Sequence, residues 1–405
     1  MATAFSDTIA SHPAHVPEEL VRDVDYTNLI QGDEDAQEAW KRVQQTSPEI
    51  FWTPRNGGHW VVTRASLIEE IQEDFERFSH RFVTAPPTPV EFPMLISMDP
   101  PEHTEMRKVI MPALNKTALQ NLEDEARKAA REIVAEIAPR GECEFVSEFS
   151  NVLPIVVFLG MMGLPLEDRE MLLPVAETCL RGPTLDARLD AHKVLNAYVR
   201  KWVEERRAKP GTDLISRVAH SQVGDREITF EETMGMCVML MLGGLDTVAG
   251  MLGYVTRYLA MHPEARHRLI DDPEIMPSAI EELIRRHGLA NTSRYITRDM
   301  DFHGVKLKEG EMIQVPNVLY GLDDALHDDP LTVNFDRPTP IRHAAFGNGV
   351  HICPGGILAR REIKVFLQEW LARIPDFAIK PGTKPKMATG AVNTVHELHL
   401  VWEPK

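Results

Sequence analysis

The sequence predicts a mainly α-helical protein with small β-sheets. Two observations carry this prediction: apolar residues recur at helical spacing over long windows, and segments that alternate like strands are few and short. The chain has 405 residues, of which 43% are hydrophobic, and this is enough for a large core. Because the sequence shows neither a low-complexity linker nor an internal repeat, we expect residues 1–405 to form a single domain.

The helical windows follow one another along most of the chain. The apolar periodicity predicts helices over residues 36–45, 66–76, 115–137, 166–180, 188–209, 230–261 and 356–374. The last of these stops before Pro375, which cannot continue a helix. Within the helix over 230–261, residues 234–255 are apolar enough to span a bilayer. Asp246 beside two glycines favours a buried central helix instead.

The strand signals are shorter. They predict strands over residues 59–63, 305–307, 312–315 and 398–402. Residues 308–311 have the composition of a hairpin turn between two of these strands. Residues 84–89 are rich in proline, which removes backbone donors and breaks helices, so we expect a loop there.

Composition excludes several function classes. The net charge of −17 argues against general nucleic-acid binding. Four scattered cysteines indicate a reducing compartment without a disulfide framework. Residues 1–10 lack the basic region and apolar run of a signal peptide. We therefore expect a cytoplasmic protein that is not anchored to a membrane.

Residues 346–356 place Cys353 in a glycine-rich loop that opens into a predicted helix. The N–H groups and dipole of a helix N-terminus favour a thiolate, and a thiolate is a good axial ligand for haem iron. Two alternatives stay open at this point: a small buried hydrophobic residue, or one half of a metal site with His351. A structural zinc site is disfavoured because the sequence has no Cys-x-x-Cys pair.

The frame Phe-x-x-Gly-x-x-x-Cys-x-Gly is met by Phe346, Gly349, Cys353 and Gly355. It resembles the haem-binding signature of the cytochrome P450 family. The resemblance runs along nearly the whole chain and is closest to the bacterial camphor 5-monooxygenase branch, through residues 56–60, 97–102, 243–248 and 358–363. It implies the P450 fold, with haem b held between a long central helix and the cysteine loop. Cys353 would then be the iron ligand, with Phe346 and Gly355 also contacting the cofactor.

The middle of the predicted central helix carries a second pattern. Gly243 and Gly244 precede Asp246 and Thr247, although a glycine in a helix interior costs roughly 1 kcal/mol against alanine. Close helix packing would explain the glycines, and so would space for dioxygen beside haem. The Thr247 hydroxyl can bond back to a carbonyl near Gly243. By resemblance, Asp246 and Thr247 are the acid–alcohol pair that delivers protons to bound dioxygen.

Haem carries two carboxylates, which need cationic or donor partners. The resemblance assigns them His103, Arg107, Arg294 and His351, and an acid that assists in the camphor branch is replaced here by Thr292. The same resemblance makes a structural brace of the residues Glu282, Arg285 and Arg337.

The resemblance also points to a substrate pocket whose side chains are apolar or small, although ordinary core packing would explain each of them. These residues are Phe82, Leu180, Met239, Leu242, Ala290, Ala391 and Val392. The loop over 89–96 contains no tyrosine to anchor a ketone, and whether Glu91 reaches the pocket is open. We expect a larger or less polar terpenoid than camphor, such as an ionone-like norisoprenoid.

The implied activity is hydroxylation by a haem-thiolate monooxygenase that uses O2. Since the chain has no flavin or nicotinamide motif, the resemblance implies electrons from a 2Fe–2S ferredoxin fed by an NADH-dependent ferredoxin reductase. Basic residues around the cysteine loop either form an ordinary solvated surface or dock such an acidic partner; they are Arg107, Lys108, Arg342, Arg360, Arg361 and Lys364. The alternatives are a peroxygenase driven by hydrogen peroxide and a haem-based ligand sensor without turnover.

Overall fold

The computed structural model describes residues 9–404, so most of the segment in which we expect no signal peptide lies outside the described residues. Thirteen α-helices lie within the described part. They are α1 (Ala36–Thr46), α2 (Ala65–Glu73), α3 (Glu102–Ile110), α4 (Lys116–Ile137), α5 (Leu153–Met162), α6 (Arg169–Arg181), α7 (Leu185–Ala208), α8 (Leu214–Ala219), α9 (Phe230–Met261), α10 (Pro263–Asp271), α11 (Met276–Arg286), α12 (Asn317–Gly321) and α13 (Gly356–Arg373). The mainly α prediction is confirmed.

The strands are short and form small sheets. They are β1 (Ile50–Thr53), β2 (His59–Val62), β3 (Phe78–Ser79), β4 (Glu142–Glu144), β5 (Gln222–Val223), β6 (Arg226–Glu227), β7 (Asn291–Ile296), β8 (Met300–Phe302), β9 (Val305–Leu307), β10 (Met312–Pro316), β11 (Ala378–Ile379), β12 (Lys386–Ala388), β13 (Thr394–Glu397) and β14 (His399–Val401). The largest sheet has five strands in the order β1-β2-β10-β7-β3, and within it β2 and β10 run parallel.

The central helix α9 spans the predicted residues. It begins with a capping box, in which the Thr229 hydroxyl accepts from the Glu232 N–H and the Glu232 carboxylate accepts from the Thr229 N–H. It packs against α5, α6, α7 and β13. Within residues 9–404, one helix, α9, has the length and composition that would allow it to cross a membrane. More than half of its most apolar window is nevertheless buried in the fold. This burial agrees with the expected core helix.

Helix boundaries differ from the prediction where a capping residue decides them. Helix α7 begins three residues earlier than the periodicity indicates, because the Thr184 hydroxyl accepts from the Ala187 N–H at 3.2 Å. Helix α2 ends at Glu73 rather than at residue 76, and Asp74 there accepts from the Arg77 N–H instead of continuing the helix. Helices α4 and α13 keep their predicted extents to within one residue.

The predicted hairpin between β9 and β10 is wrong. Residues 308–311 do form a turn, with Gly310 at φ +91° and the Glu311 N–H bonded to the Lys308 carbonyl at 3.2 Å. However, β9 pairs with β8, whereas β10 pairs with β7 and β2. Turn composition marks a change of direction, but partners far away in the sequence decide which strands pair.

Helix α11 carries the structural brace expected from the sequence. The Arg285 guanidinium donates to both Glu282 carboxylate oxygens at 2.7 Å, and Arg337 donates to the same carboxylate at 3.0 and 3.1 Å. Arg285 also donates to the carbonyls of Gly321, Pro330 and Thr332. The Glu282 and Arg285 side chains are fully buried. The donors of both guanidinium groups therefore find acceptors within the chain, and the Glu282 carboxylate offsets one of the two positive charges.

Candidate active site

The loop before α13 fixes the position of Cys353. Gly349 has φ +64°, and a Cβ there would lie 2.6 Å from the Gln72 carbonyl oxygen. A Cβ on Gly356 would lie 3.3 Å from the Phe346 ring. The Cys353 N–H closes the loop by donating to the Phe346 carbonyl at 2.8 Å. The sequence frame thus has a steric basis at Gly349 and a hydrogen-bonding basis at the cysteine, and the adjacent Gly356 is needed for close packing against Phe346.

The Cys353 side chain is solvent-accessible, yet the surrounding protein atoms raise the pKa of its thiol above the ordinary value. The N–H groups of Gly355 and Gly356 and the charges of Arg107 and Arg360 lower that pKa, but burial outweighs them. The N–H groups at the helix N-terminus thus favour the thiolate as expected, although burial outweighs them in the free side chain. A coordinating metal ion removes the thiol proton in any case.

The centre of α9 separates the roles of its two glycines. A Cβ on Gly244 would lie 2.2 Å from the Phe158 ring of α5, so helix packing explains this glycine. A Cβ on Gly243 would meet open space, so Gly243 and not Gly244 is compatible with the room predicted for dioxygen. The Thr247 hydroxyl donates to the Gly243 carbonyl at 2.9 Å, and the predicted bond back to this carbonyl is confirmed.

Asp246 is held by a residue that the sequence reasoning missed. Both of its carboxylate oxygens accept from Arg181, at 2.7 and 2.6 Å. Arg181 lies at the end of α6, is 10% exposed, and also donates to the Val392 carbonyl at 3.3 Å. The bidentate contact is a strong, directional ion pair. In this conformation, both oxygens of the Asp246 carboxylate are therefore bound by Arg181.

The four residues assigned to the haem carboxylates fall into one cluster. The centroids of the His103 and His351 rings lie 4.0 Å apart. Burial lowers the pKa of His351, and the charges of His103 and Arg294 lower it further. Arg107 donates to the Val350 and Ile352 carbonyls and so ties α3 to the cysteine loop. These contacts join residues from three distant segments.

Several polar nitrogens of this cluster are buried without a hydrogen-bond partner. In the part of the chain that the structure describes, His351 Nε2, Arg294 Nε and both ring nitrogens of His103 have no hydrogen-bond partner. Burial lowers the pKa of His351 to about 3 and that of Arg294 to about 9. The Arg294 guanidinium also donates to the Thr292 hydroxyl at 3.0 Å and to the Ser293 carbonyl. Thr292 therefore accepts from Arg294 at the position where the camphor branch has an acid.

The structure adds a third histidine to this cluster. The His80 ring stacks on His351 with centroids 3.3 Å apart and an interplanar angle of 13°. His80 had no sequence signal, because it is a lone histidine after a two-residue strand. Its proximity to His351 depends on how residues from opposite ends of the chain pack together.

Three of the expected pocket residues meet in one place. Ala290 forms an isolated β-bridge with Val392, and the Ala391 carbonyl accepts from the Asn291 N–H at 2.8 Å. The Arg181 bond to the Val392 carbonyl connects this place to Asp246. The other expected pocket residues are spread over neighbouring elements: Leu180 on α6, Met239 and Leu242 on α9, and Phe82 with its ring 6.0 Å from Tyr295.

Glu91 is directed towards helix α7. Its carboxylate accepts from the Asn196 side chain at 2.7 Å and lies 3.7 Å from the Arg200 guanidinium. The Glu91 side chain is 54% exposed. It links the proline-rich loop to α7 at the surface, so we do not count it among the pocket residues.

The basic residues around the cysteine loop are less free than the sequence indicates. Arg360 pairs with Glu281, and Arg361 pairs with Glu123. The other basic residues expected to dock a partner also have contacts: Lys108, Arg342 and Lys364 each with an acid, and Arg107 with a carbonyl. By contrast, Ile352 and Ile357 are 49% and 57% exposed on either side of Cys353. A partner at this face would meet apolar side chains surrounded by ion pairs.

Comparisons with known proteins agree with this geometry. The family model described as Cytochrome P450 matches residues 170–397. The probable cytochrome P450 127A1 of Sinorhizobium fredii is 33% identical over 403 residues, covering 96% of this chain and 96% of that protein. The crystal structure of CYP101J2 is 35% identical with a TM-score of 0.89, and covers 98% of this chain and 100% of that one. The structure of CYP101C1 is 38% identical with a TM-score of 0.87, covering 97% and 100%.

Proposed function

Because this chain belongs to the cytochrome P450 family and is a haem-dependent monooxygenase, we propose that it hydroxylates a small hydrophobic terpenoid or norisoprenoid with electrons from a 2Fe–2S ferredoxin. The observation that carries the proposal is Cys353, held in a fixed loop beside buried donors that have no acceptor in the described chain. The same observation shows that the residues fit haem b. We propose Cys353 as the iron ligand, and His103, Arg294 and His351 as partners of its carboxylates.

When bound, haem supplies the oxidising power that inserts one atom of O2 into a C–H bond, while two electrons and two protons reduce the other atom to water. The chain supplies orientation and protons. The Thr247 hydroxyl proton is committed to the Gly243 carbonyl, which leaves the hydroxyl oxygen free to accept a hydrogen bond. Asp246 must leave Arg181 before its carboxylate can accept and pass on a proton. We therefore propose that Arg181 controls when Asp246 joins the proton path.

The substrate class rests on the chemistry of the expected pocket. All seven side chains proposed for it are apolar, and none offers a hydrogen bond to a ketone. Glu91 is engaged by Asn196 at the surface. A substrate that presents mainly hydrocarbon loses little by entering such a pocket, whereas camphor leaves its carbonyl without a donor at a cost of about 1 kcal/mol or more. An ionone-like compound, larger and less polar, is favoured.

The proposed electron donor rests on similarity and on the surface near the cysteine loop. Two CYP101 structures cover nearly all of the chain, and the sequence has no flavin or nicotinamide motif. We propose that the ferredoxin docks over Ile352 and Ile357, whose exposed side chains are surrounded by basic residues. A 2Fe–2S ferredoxin and an NADH-dependent reductase are expected in the same compartment, which we take to be the cytoplasm.

The substrate proposal is tested by titrating the ferric holoprotein with β-ionone and with camphor, following the haem spin state. We expect β-ionone to give the tighter and more complete shift, and a complete, tight shift with camphor alone would refute the proposal. Product formation with ferredoxin, reductase and NADH then tests turnover. Equal turnover with hydrogen peroxide alone would indicate a peroxygenase, and no turnover under either condition would indicate a sensor.

The proton path is tested by Thr247→Ala, with Thr233→Ala as the matched control. Thr233 lies on the same helix and makes the same bond four residues back, to the Thr229 carbonyl at 2.7 Å. We expect Thr247→Ala to divert most of the consumed NADH into hydrogen peroxide, while Thr233→Ala couples like the wild type. Unchanged coupling in Thr247→Ala would remove this residue from the mechanism.

A further inference from the structure

The position of His80 is fixed by its backbone. Residue 80 follows β3, which pairs antiparallel with β7, the strand that carries Arg294. The His80 N–H donates to the Asp99 carboxylate at 2.9 Å, and the Ser79 hydroxyl bonds to the other oxygen of that carboxylate. The His80 side chain is 3% exposed. The ring is therefore held beside Arg294 and has little freedom to turn towards solvent.

The ring lies within the cluster assigned to the haem carboxylates. It stacks on His351 at 3.3 Å between centroids, and His351 in turn lies 4.0 Å from His103. After burial, the charges of Arg294 and His351 lower the pKa of His80 further. Three histidines and an arginine from four separate segments thus face one another.

Such a cluster is unfavourable by itself. A buried polar group without a partner costs free energy, and a buried cation costs more. His80 Nδ1 lies 3.3 Å from the Ile96 carbonyl, but His80 Nε2 has no partner within residues 9–404, and the same holds for His351 Nε2 and Arg294 Nε. Asp99 is the acid whose charge bears on Arg294, and its oxygens already accept from Ser79 and from the His80 backbone. The Arg294 guanidinium and the partnerless ring nitrogens beside it fit an anionic ligand whose oxygens accept hydrogen bonds.

We propose that His80 holds a haem carboxylate through Nε2, together with Arg294 and His351. The contact of Nδ1 with the Ile96 carbonyl is longer than an ordinary N–H···O hydrogen bond, so the neutral ring can carry its proton on Nε2 and donate it to the carboxylate. No second ring proton is needed. His80 thus adds a neutral donor in a pocket where Thr292 stands in place of an acid. The proposal rests on the haem carried by the family, and not on the proposed substrate.

The test measures haem transfer from the ferric holoprotein to excess apomyoglobin. His80→Phe keeps a ring that can stack on His351 but removes both ring nitrogens, whereas His80→Gln keeps an amide N–H donor. His59→Phe is the matched control, because His59 is also a fully buried histidine, but it lies on β2 beside Tyr26. We expect transfer to be about 10- to 100-fold faster in His80→Phe, intermediate in His80→Gln, and unchanged in His59→Phe.

The reduction potential gives a second readout. Loss of a hydrogen-bond donor leaves more negative charge on the haem carboxylate and favours the ferric state, so the potential falls in His80→Phe and stays unchanged in His59→Phe. Wild-type transfer rates in His80→Phe would overturn the proposal, as would equally fast transfer in His59→Phe. Loss of the thiolate-type spectrum of the reduced carbonyl complex in His80→Phe would also overturn it, because the change would then act through Cys353. None of these readouts depends on the substrate.

Discussion

Two buried clusters of charge in this molecule differ in how they are neutralised. In the brace formed by Glu282, Arg285 and Arg337, each guanidinium meets a carboxylate or carbonyl of the same chain. In the cluster around His351 and Arg294, several donors end without an acceptor among the described residues. Both clusters are buried, and both contain arginine.

The difference indicates what each cluster does. A network that satisfies its own donors stabilises the fold without a ligand, and removal of one partner leaves a buried charge uncompensated. A network with unmatched donors is stable when a ligand supplies the missing charge, and the free energy of that contact becomes binding free energy. The brace is therefore structural, and we assign the histidine–arginine cluster to the cofactor.

The largest expected effect comes from breaking the self-satisfied network. Glu282→Ala leaves Arg285 and Arg337 facing each other without an anion, and we expect it to cost about 3 to 5 kcal/mol of unfolding free energy. Urea unfolding of the holoprotein measures this loss. The control is Glu281→Ala, which removes a half-exposed neighbour that pairs with Arg360 and His343. A loss in Glu282→Ala no larger than in the control would contradict the structural assignment.

A buried acid outside both clusters sharpens the comparison. Burial raises the pKa of Glu362 on α13 to about 8, and Glu362 Oε2 has no partner in the described part of the chain. The folded protein favours the protonated form of Glu362, so this carboxyl does not reduce the free energy of unfolding below its ordinary pKa of 4.5. Its ionisation reduces the free energy of unfolding increasingly as the pH rises, and this loss is complete above about pH 8. Each pKa unit is worth about 1.4 kcal/mol.

We therefore expect Glu362→Gln to stabilise the holoprotein by roughly 2 to 4 kcal/mol at pH 8.5 and by nothing at pH 5. Urea unfolding across this pH range is the measurement. Glu369→Gln on the same helix is the control, and we expect it to destabilise the protein rather than stabilise it. Burial raises the pKa of Glu369, but Arg131 and Arg127 outweigh burial and lower that pKa. A stabilisation by Glu362→Gln that does not grow with pH would contradict the unpaired state of this acid.

The smallest expected effect is at the surface. Asn196→Ala removes the hydrogen bond that ties Glu91 to α7, in a place where water replaces the lost partner. We expect less than about 1 kcal/mol of global stability to be lost, together with faster amide hydrogen exchange over residues 84–94. Lys193→Ala, which removes an exposed contact with Asp190 on the same helix, should leave that exchange unchanged. Equal exchange in both variants would show that the loop is held by other contacts.

Much of the fold could be predicted because its signals are local. The apolar periodicity of α9 and the capping residues around it lie within a few turns of one another, and the helix spans the predicted residues. The pairing of β10 could not be predicted in this way, because its partners β2 and β7 lie elsewhere in the chain. The turn at Gly310 was visible in the sequence, but the hairpin inferred from it was wrong.

The candidate site divides in the same way. The bond from Thr247 to Gly243 was predictable, since both residues lie on one helical turn. The contact of Arg181 with Asp246 was not, because it depends on how α6 crosses α9. Gly244 shows the same limit: a glycine near an acid and an alcohol indicates function, yet its Cβ position is taken by the Phe158 ring.

The sequence by itself determined the cysteine loop, the central helix and the family, because each depends on residue types at fixed short spacing. Only the tertiary structure showed that His80 joins the cluster of His103, Arg294 and His351, and that Arg181 pairs with Asp246. Nothing in the local sequence around His80 or Arg181 records these contacts. Electrostatic and hydrogen-bond partners are set by distance in space, and long-range packing fixes that distance.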